Sequence, residues 1–292
     1  MILDNAIQQG SKILKKNNIK THELDAQIIL SNIMNVTREF LISNNYINIS
    51  EEIIQKYNHA IKRRIRKEPV AYITGKKEFW SKDFIVSDAT LIPRPETELL
   101  LYKIVKFFKN KSINILDIGT GSGCILLSIL KELHLSTGTG IDISAKAFKV
   151  AELNYRKLNL FDRANFKVFD IKNFGIGKYD LIISNPPYIP LKDIKNLSKD
   201  IINYEPLIAL KAGFDGLDLI KKVIYKSSIL LKRNGMLAIE IGEGQYLKVS
   251  NLLKHSGVRE VSKVYDYNRN VRCIIGTKLW FIKLIKINIL TN

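Results

Sequence analysis

The run Tyr179-Asp180-Leu181-Ile182-Ile183-Ser184 has the length and apolar character of a buried strand, and it stops at Asn185-Pro186-Pro187-Tyr188. Proline has a fixed φ and no N–H, so two in succession make a stiff turn whose carbonyls are left to accept hydrogen bonds. A rigid turn that offers an amide side chain, a backbone carbonyl and an aromatic face can hold a planar –NH2 group. Taken alone, the tetrapeptide is also readable as an ordinary strand-to-helix loop. The rest of the chain has to decide between the two.

A second cluster supplies the partner chemistry. Ile115-Leu116-Asp117-Ile118 leads into Gly119-Thr120-Gly121-Ser122-Gly123, a glycine-rich turn between a strand and a helix. Glycines there let the backbone turn tightly and approach a ligand at the carboxyl edge of a parallel sheet. The next strand ends in Ile141-Asp142-Ile143. A carboxylate about 20 residues beyond the turn can accept both hydroxyls of a ribose. The glycine spacing differs from the G-x-G-x-x-G that seats a pyrophosphate on a helix N-terminus. Asp117 beside the turn would repel pyrophosphate and suits the ammonium of a methionine moiety. The third strand ends in Phe169-Asp170-Ile171, where Asp170 can accept from an adenine amine and Ile171 can pack on the ring. S-adenosylmethionine fits these residues better than a dinucleotide.

These two clusters need a scaffold, and the hydrophobic pattern from Ile113 onward provides one. Strands are expected at 113–118, 138–142, 165–169, 179–184, 235–241, 260–265 and 271–277. Helices are expected near 123–133, 144–158, 216–231 and 244–255. The alternation predicts an α/β, Rossmann-like, mostly parallel seven-stranded sheet. Before it, Leu91-Ile92-Pro93-Arg94-Pro95-Glu96-Thr97-Glu98 reads as a rigid loop aiming Arg94, then a helix from Thr97 to Phe108. Residues 1 to about 67 read as a small all-α bundle in which Thr21 and Ser50 precede helices; the run Lys62-Arg63-Arg64 reads as a solvated helix end. Pro69 is expected to end the helical zone, and Val70 to Val86 to form a linking β-hairpin. The domains expected are therefore 1–68, a hairpin linker 69–92, a catalytic domain 93–278 and a tail 279–292. The tail mixes Trp280 and Phe281 with lysines and is expected to be a poorly ordered extension.

Bulk properties narrow the classes further. The chain has 292 residues, with 46% hydrophobic and 25% charged residues, as in globular proteins. The formal charge of +18 invites a nucleic-acid reading, but the lysines are spread over the whole length among many Ile and Asn residues. A dedicated nucleic-acid groove and a stable nucleic-acid partner are not expected. Two distant cysteines, Cys124 and Cys273, and 4 histidines argue against a disulfide framework and against a zinc site. No signal peptide or membrane span is read, so the expected location is cytoplasmic and the default state a monomer.

Glu68-Pro69-Val70-Ala71-Tyr72-Ile73 with Gly75 and Glu78-Phe79-Trp80, then Pro93-Arg94-Pro95-Glu96-Thr97-Glu98, the glycine turn, Asp142, Asn185-Pro186-Pro187-Tyr188 and Asn203-Tyr204-Glu205-Pro206 occur in this order. Together they resemble the bacterial release factor glutamine methyltransferase family (PrmC, also called HemK), within the class I methyltransferases, over nearly all of residues 1–278. The resemblance implies that Gly119, Thr120, Gly121, Ser122, Gly123, Asp142, Asp170, Ile171 and Asn185 hold S-adenosylmethionine. Ile171 stands where family members often carry an aromatic. It further implies that Asn185, Pro186, Pro187 and Tyr188 hold the glutamine of a Gly-Gly-Gln loop in peptide chain release factors, with Asn185, Pro186 and Tyr188 as the catalytic set. Arg94 is expected to help close the site, and the helical domain to grip the release factor. No metal is expected. The alternative is a methyltransferase acting on adenine or cytosine amines, which share the Asn-Pro-Pro-Tyr motif. It predicts a target-recognition domain, and the stretch 191–216 is too short and too mixed in charge to be one. A third class, a non-catalytic binding protein, would require damaged motifs, and these are intact.

Overall fold

The structure is a computed structural model, and it describes residues 1–279. The expectation for the tail therefore falls, beyond Leu279, outside the described residues. Two compact units are present, one built from Met1–Lys77, Val86–Asp88 and Asn196–Glu205, the other from most of the remainder.

The first unit carries helices α1 (Leu3–Lys16), α2 (His22–Met34), α3 (Arg38–Ser43), α4 (Glu51–Ile65) and α5 (Val70–Thr74). Leu3, Ala6, Gly10 and Leu14 recur every three or four residues and form the buried face of α1. Gly10 is required by contact, because a Cβ there would lie 2.1 Å from the Tyr57 hydroxyl of α4. Ser50 caps α4 by accepting from the Ile53 N–H, and Thr37 caps α3 in the same way through Phe40. Thr21 makes no such cap; its hydroxyl donates to Asp25 at 2.9 Å. Two expectations need correction here. Val70–Thr74 is a helical turn, because Pro69 starts a helix well and Gly75 closes it in the left-handed region (φ 71°). Only β1 (Lys76–Phe79) and β2 (Lys82–Ile85) form the two-stranded ribbon.

The second correction concerns Arg64. It is buried, not solvated, and bonds Asp25 at 2.7 Å and Asp200 at 2.8 Å. Asp200 belongs to a short helix, Lys199–Tyr204, whose Tyr204 hydroxyl also donates to the Arg66 carbonyl at 2.9 Å. Arg64→Ala leaves the Asp25 carboxylate buried without its cation, and the expected loss is about 3–5 kcal/mol in chemical denaturation. Replacing both partners, as in Arg64→Met with Asp25→Leu, should recover most of that stability.

The framework of the second unit begins with α6 (Pro95–Phe108), followed by β3 (Asn114–Ile118), α7 (Cys124–Glu132), β4 (Thr137–Asp142), α8 (Ala145–Lys157), β5 (Ala164–Val168) and β6 (Tyr179–Ser184). Lys199–Tyr204 is α9 and belongs to the first unit; α10 (Asp218–Leu230), β7 (Leu231–Glu240), α11 (Tyr246–His255), β8 (Val258–Tyr265) and β9 (Val271–Lys278) complete the second. The seven-stranded sheet has the order β5-β4-β3-β6-β7-β9-β8, parallel except that β9 runs antiparallel to β7 and β8. Core residues line both faces: Leu126, Leu127 and Ile129 of α7 on one, Ile220, Val223 and Ile224 of α10 on the other. Each such side chain contributes roughly 1.5–3 kcal/mol by leaving water. The order reverses at β3 and β6, so their carboxyl ends open a crevice of the kind in which doubly wound sheets bind ligands. The glycine turn and Asn185 leave the sheet at those two ends.

Candidate active site

Between β3 and α7 the chain makes three left-handed turns, at Gly119 (φ 75°), Gly121 (φ 56°) and Gly123 (φ 77°), which only glycine adopts without strain. A Cβ on Gly119 or Gly121 would meet nothing within 4 Å, so both border open space. The N–H groups of Gly119 and Thr120 donate to the Ile141 carbonyl, which ties the turn to the end of β4. Asp142 completes that tie: one carboxylate oxygen accepts from the Gly121 N–H and the other from the Ser144 N–H, each at 2.9 Å. Burial raises the pKa of Asp142, and these backbone N–H groups oppose the shift.

One cleft collects most of the residues singled out from sequence. Arg94, Gly119, Thr120, Gly121, Ser122, Asp142, Asp170, Ile171, Asn185 and Pro187 line it. Gly123, Pro186 and Tyr188 are not on its wall. Gly123 stands at the start of α7, where a Cβ would press on Leu127 and Phe166 at 3.1 Å, and Pro186 is buried. Phe169, which sequence reading passed over, lines the cleft beside Ile171 and packs edge-on against Phe174. Ile143 also lines it and is half exposed.

Asp117 departs from expectation. It is wholly buried beneath the turn and does not line the cleft, so it cannot meet a ligand ammonium directly. One oxygen accepts from the Thr120 hydroxyl at 2.7 Å, and the other has no partner among the described residues. Burial pushes its carboxyl up to about 7, against the Thr120 hydrogen bond and with some help from Asp142. The unfolded carboxyl titrates near 4, so its stabilising contribution is complete below about pH 4 and lost as pH rises through about 7. Wild-type stability should therefore fall across that window by up to about 4 kcal/mol relative to an Asp117→Asn variant. Melting temperatures of the two proteins, measured from about pH 4 to about pH 8, check this.

Around Asn185 the side chains form a linked set. The Asn185 amide nitrogen donates to the Thr97 hydroxyl at 3.3 Å, and that hydroxyl donates to Glu240 at 2.7 Å. The other Glu240 oxygen accepts from the Tyr188 hydroxyl at 3.4 Å. Arg272 lies over the Tyr188 ring, 5.7 Å from its centroid. Gln245 holds the Tyr188 carbonyl through its amide nitrogen at 3.0 Å, while its oxygen accepts from the Gly242 N–H. Burial raises the Glu240 pKa, opposed by the Thr97 hydrogen bond and Arg272, and burial likewise raises that of the Tyr188 phenol. A signal for Glu240 exists in the sequence: it is the one acid closing the apolar run Met236 to Ile241.

Asn154, completely buried on α8, is a second residue missed. It bonds both backbone groups of Ile85 and donates to the Ser122 carbonyl at 2.9 Å, pinning the glycine turn to the ribbon.

The donor set fits S-adenosylmethionine. Among the described residues on the cleft wall Arg94 is the one cation, against the two carboxylates of Asp142 and Asp170. That balance suits a cationic ligand and would not neutralise a pyrophosphate. Ser122 adds a buried hydroxyl with no partner among the described residues. No group of three or more His, Cys, Asp or Glu that could hold a metal ion is present among the described residues. No described helix is long and apolar enough to cross a membrane.

A solved methyltransferase from Pyrococcus furiosus shares the fold, with a TM-score of 0.52 at 17% identity over 75% of this chain and 99% of that one. Fold and site together define a Rossmann-like methyltransferase dependent on S-adenosylmethionine. Two family models match, the PrmC N-terminal domain over residues 5–75 and the methyltransferase small domain over residues 95–213. The release factor glutamine methyltransferase of Clostridium acetobutylicum is 36% identical over 95% of this chain and 99% of its own length. That of Buchnera aphidicola is 41% identical over 91% of this chain and 96% of its own. A bifunctional methyltransferase of Rickettsia bellii is 35% identical, and the match covers 50% of it. The chain belongs to the release factor glutamine methyltransferase family.

Proposed function

We propose that this enzyme transfers a methyl group from S-adenosylmethionine to the side-chain amide nitrogen of the glutamine in the Gly-Gly-Gln motif of peptide chain release factors. The observation that carries the reading is the placement of Asn185 on the wall of the same cleft as Asp142 and the glycine turn. Family membership supports the choice of substrate over the nucleic-acid alternative.

When bound, S-adenosylmethionine supplies an electrophilic methyl group on a sulfonium. Asp142 would accept from the ribose hydroxyls, since each of its oxygens keeps a lone pair beyond its bond to Gly121 or Ser144. Gly119 to Gly123 would border the methionine moiety, and Ile171, Asp170 and Phe169 the adenine. A glutamine amide is a poor nucleophile because its lone pair is delocalised into the carbonyl. Fixing it in line with the breaking bond supplies positional catalysis. The Asn185 oxygen and the Pro186 carbonyl would accept its two hydrogens and favour the positive charge that develops on nitrogen. Pro187 and Tyr188 would keep the turn in shape, and Arg94 would close the site. The proton leaves after transfer, so no strong base is required; the nearby Cys124 thiol, pushed up to about 12 by burial, is not one.

In this reading residues 1–68 recognise the release factor, 69–92 link the parts and 93–278 perform the transfer, in the cytoplasm. The test incubates the purified chain with methyl-labelled S-adenosylmethionine and either a release factor or DNA. Label is expected in the release factor; label confined to nucleic acid would overturn the proposal.

A further inference from the structure

A substrate amide can be gripped only if Asn185 shows it the oxygen, and an asparagine side chain can present either end. The choice is made by what the other end meets. Here it meets the Thr97 hydroxyl at 3.3 Å. A hydroxyl has one proton. The Thr97 proton is committed to one Glu240 oxygen at 2.7 Å, in a pair buried on both sides, and the other Glu240 oxygen accepts from the Tyr188 hydroxyl, so the carboxyl is the acceptor on both sides. Towards Asn185 the hydroxyl therefore has only lone pairs to offer. The Asn185 –NH2 must face Thr97, and its oxygen faces the cleft.

We infer that Glu240, acting through Thr97, is a positioning residue that selects the catalytically competent orientation of the Asn185 amide. Three elements are needed to assemble the relay. Thr97 lies in the first turn of α6, Asn185 follows β6, and Glu240 ends β7, whose Ile239 is in register with Ser184. The second Glu240 oxygen receives the Tyr188 hydroxyl, so one carboxylate braces both ends of Asn185-Pro186-Pro187-Tyr188. A glutamine at position 240 would change the outcome at nearly constant shape. Its –NH2 can occupy Thr97 as a donor, which frees the Thr97 proton for the Asn185 oxygen and turns that oxygen away from the substrate.

The inference rests on the assignment of Asn185 as the substrate acceptor. The experiment measures kcat for release factor methylation and the Kd for S-adenosylmethionine in wild type, Glu240→Gln, Thr97→Val, Thr97→Ser and the Thr97→Val, Glu240→Gln double variant. Glu240→Gln and Thr97→Val are each expected to lower kcat by about 10- to 100-fold, somewhat less than outright loss of a transition-state hydrogen bond. Cofactor Kd should stay within about threefold of wild type, because the relay contacts no proposed cofactor ligand other than Asn185. Thr97→Ser, which keeps the hydroxyl, should recover most of kcat. The double variant should be no slower than the slower single, since both break one relay. A normal kcat in Glu240→Gln, effects that multiply in the double variant, a parallel rise in cofactor Kd, or failure of serine to rescue would each overturn the inference. Should Glu240→Gln not fold, the contrast between valine and serine at position 97 decides. An inactive wild type would instead sink the proposed function itself.

Discussion

Asn185→Ala is expected to lower kcat for release factor methylation by roughly 10³-fold while leaving the protein folded and the cofactor bound within a few-fold of its normal affinity. Two effects add. The substrate amide loses an acceptor for the hydrogen that becomes more acidic as positive charge builds on nitrogen, and a single fixed partner of this kind contributes about 10²–10³-fold. The same bond also sets the angle of approach, and a nucleophile this weak depends on orientation. Asn185 is half-buried on the cleft wall, so truncation costs little packing. Quench-flow or steady-state methylation, with a parallel cofactor titration, checks the result. A variant that retains near-normal turnover would remove Asn185 from the mechanism.

Asp142→Asn should do the opposite. Its carboxylate already accepts from the N–H groups of Gly121 and Ser144, and both donors need an acceptor. An amide must turn its –NH2 on one of them, which loosens the glycine turn and removes a charge-assisted acceptor from the ribose. Hydrogen bonds to a charged group contribute about 1.5–3 kcal/mol each, so a rise in cofactor Kd of roughly 100-fold is expected. At saturating cofactor kcat should fall much less, because Asp142 makes no contact with the reacting atoms. Calorimetric titration separates the two: unchanged affinity would contradict the assignment of the cleft.

Much of the framework was legible because its residues carry it locally. Ile115 to Ile118, interrupted only by Asp117, and Leu181 to Ile183 are mainly apolar stretches that lead to Gly119 and Asn185, and they lie in strands β3 and β6. The differences have local causes too. Strand β7 starts at Leu231, earlier than expected, because Leu231 pairs with Tyr179 across a register shift near Asn234, which adopts φ 60°. Val70–Thr74 carries β-branched residues yet forms a helix, since Pro69 and Gly75 bound a single turn. Arg64 looked like one cation in a basic run, and only the packing of α2 and Lys199–Tyr204 buries it between Asp25 and Asp200. The relay from Glu240 to Thr97 to Asn185 was illegible for a topological reason. Its members are far apart in the chain and meet only because β7 lies beside β6 and α6 packs against β7. An isolated acid ending an apolar strand marked Glu240 as unusual, but nothing in the sequence named its partner.

The most direct measurement of the central claim is the position of the new methyl group. After incubation with S-adenosylmethionine and an intact release factor, proteolysis and tandem mass spectrometry should place a single added methyl on the side-chain nitrogen of the Gly-Gly-Gln glutamine. The modification should be absent from the same reaction run with Asn185→Ala. A methyl group on another residue of the release factor, or on a nucleobase in a competing digest of nucleic acid, would contradict the account.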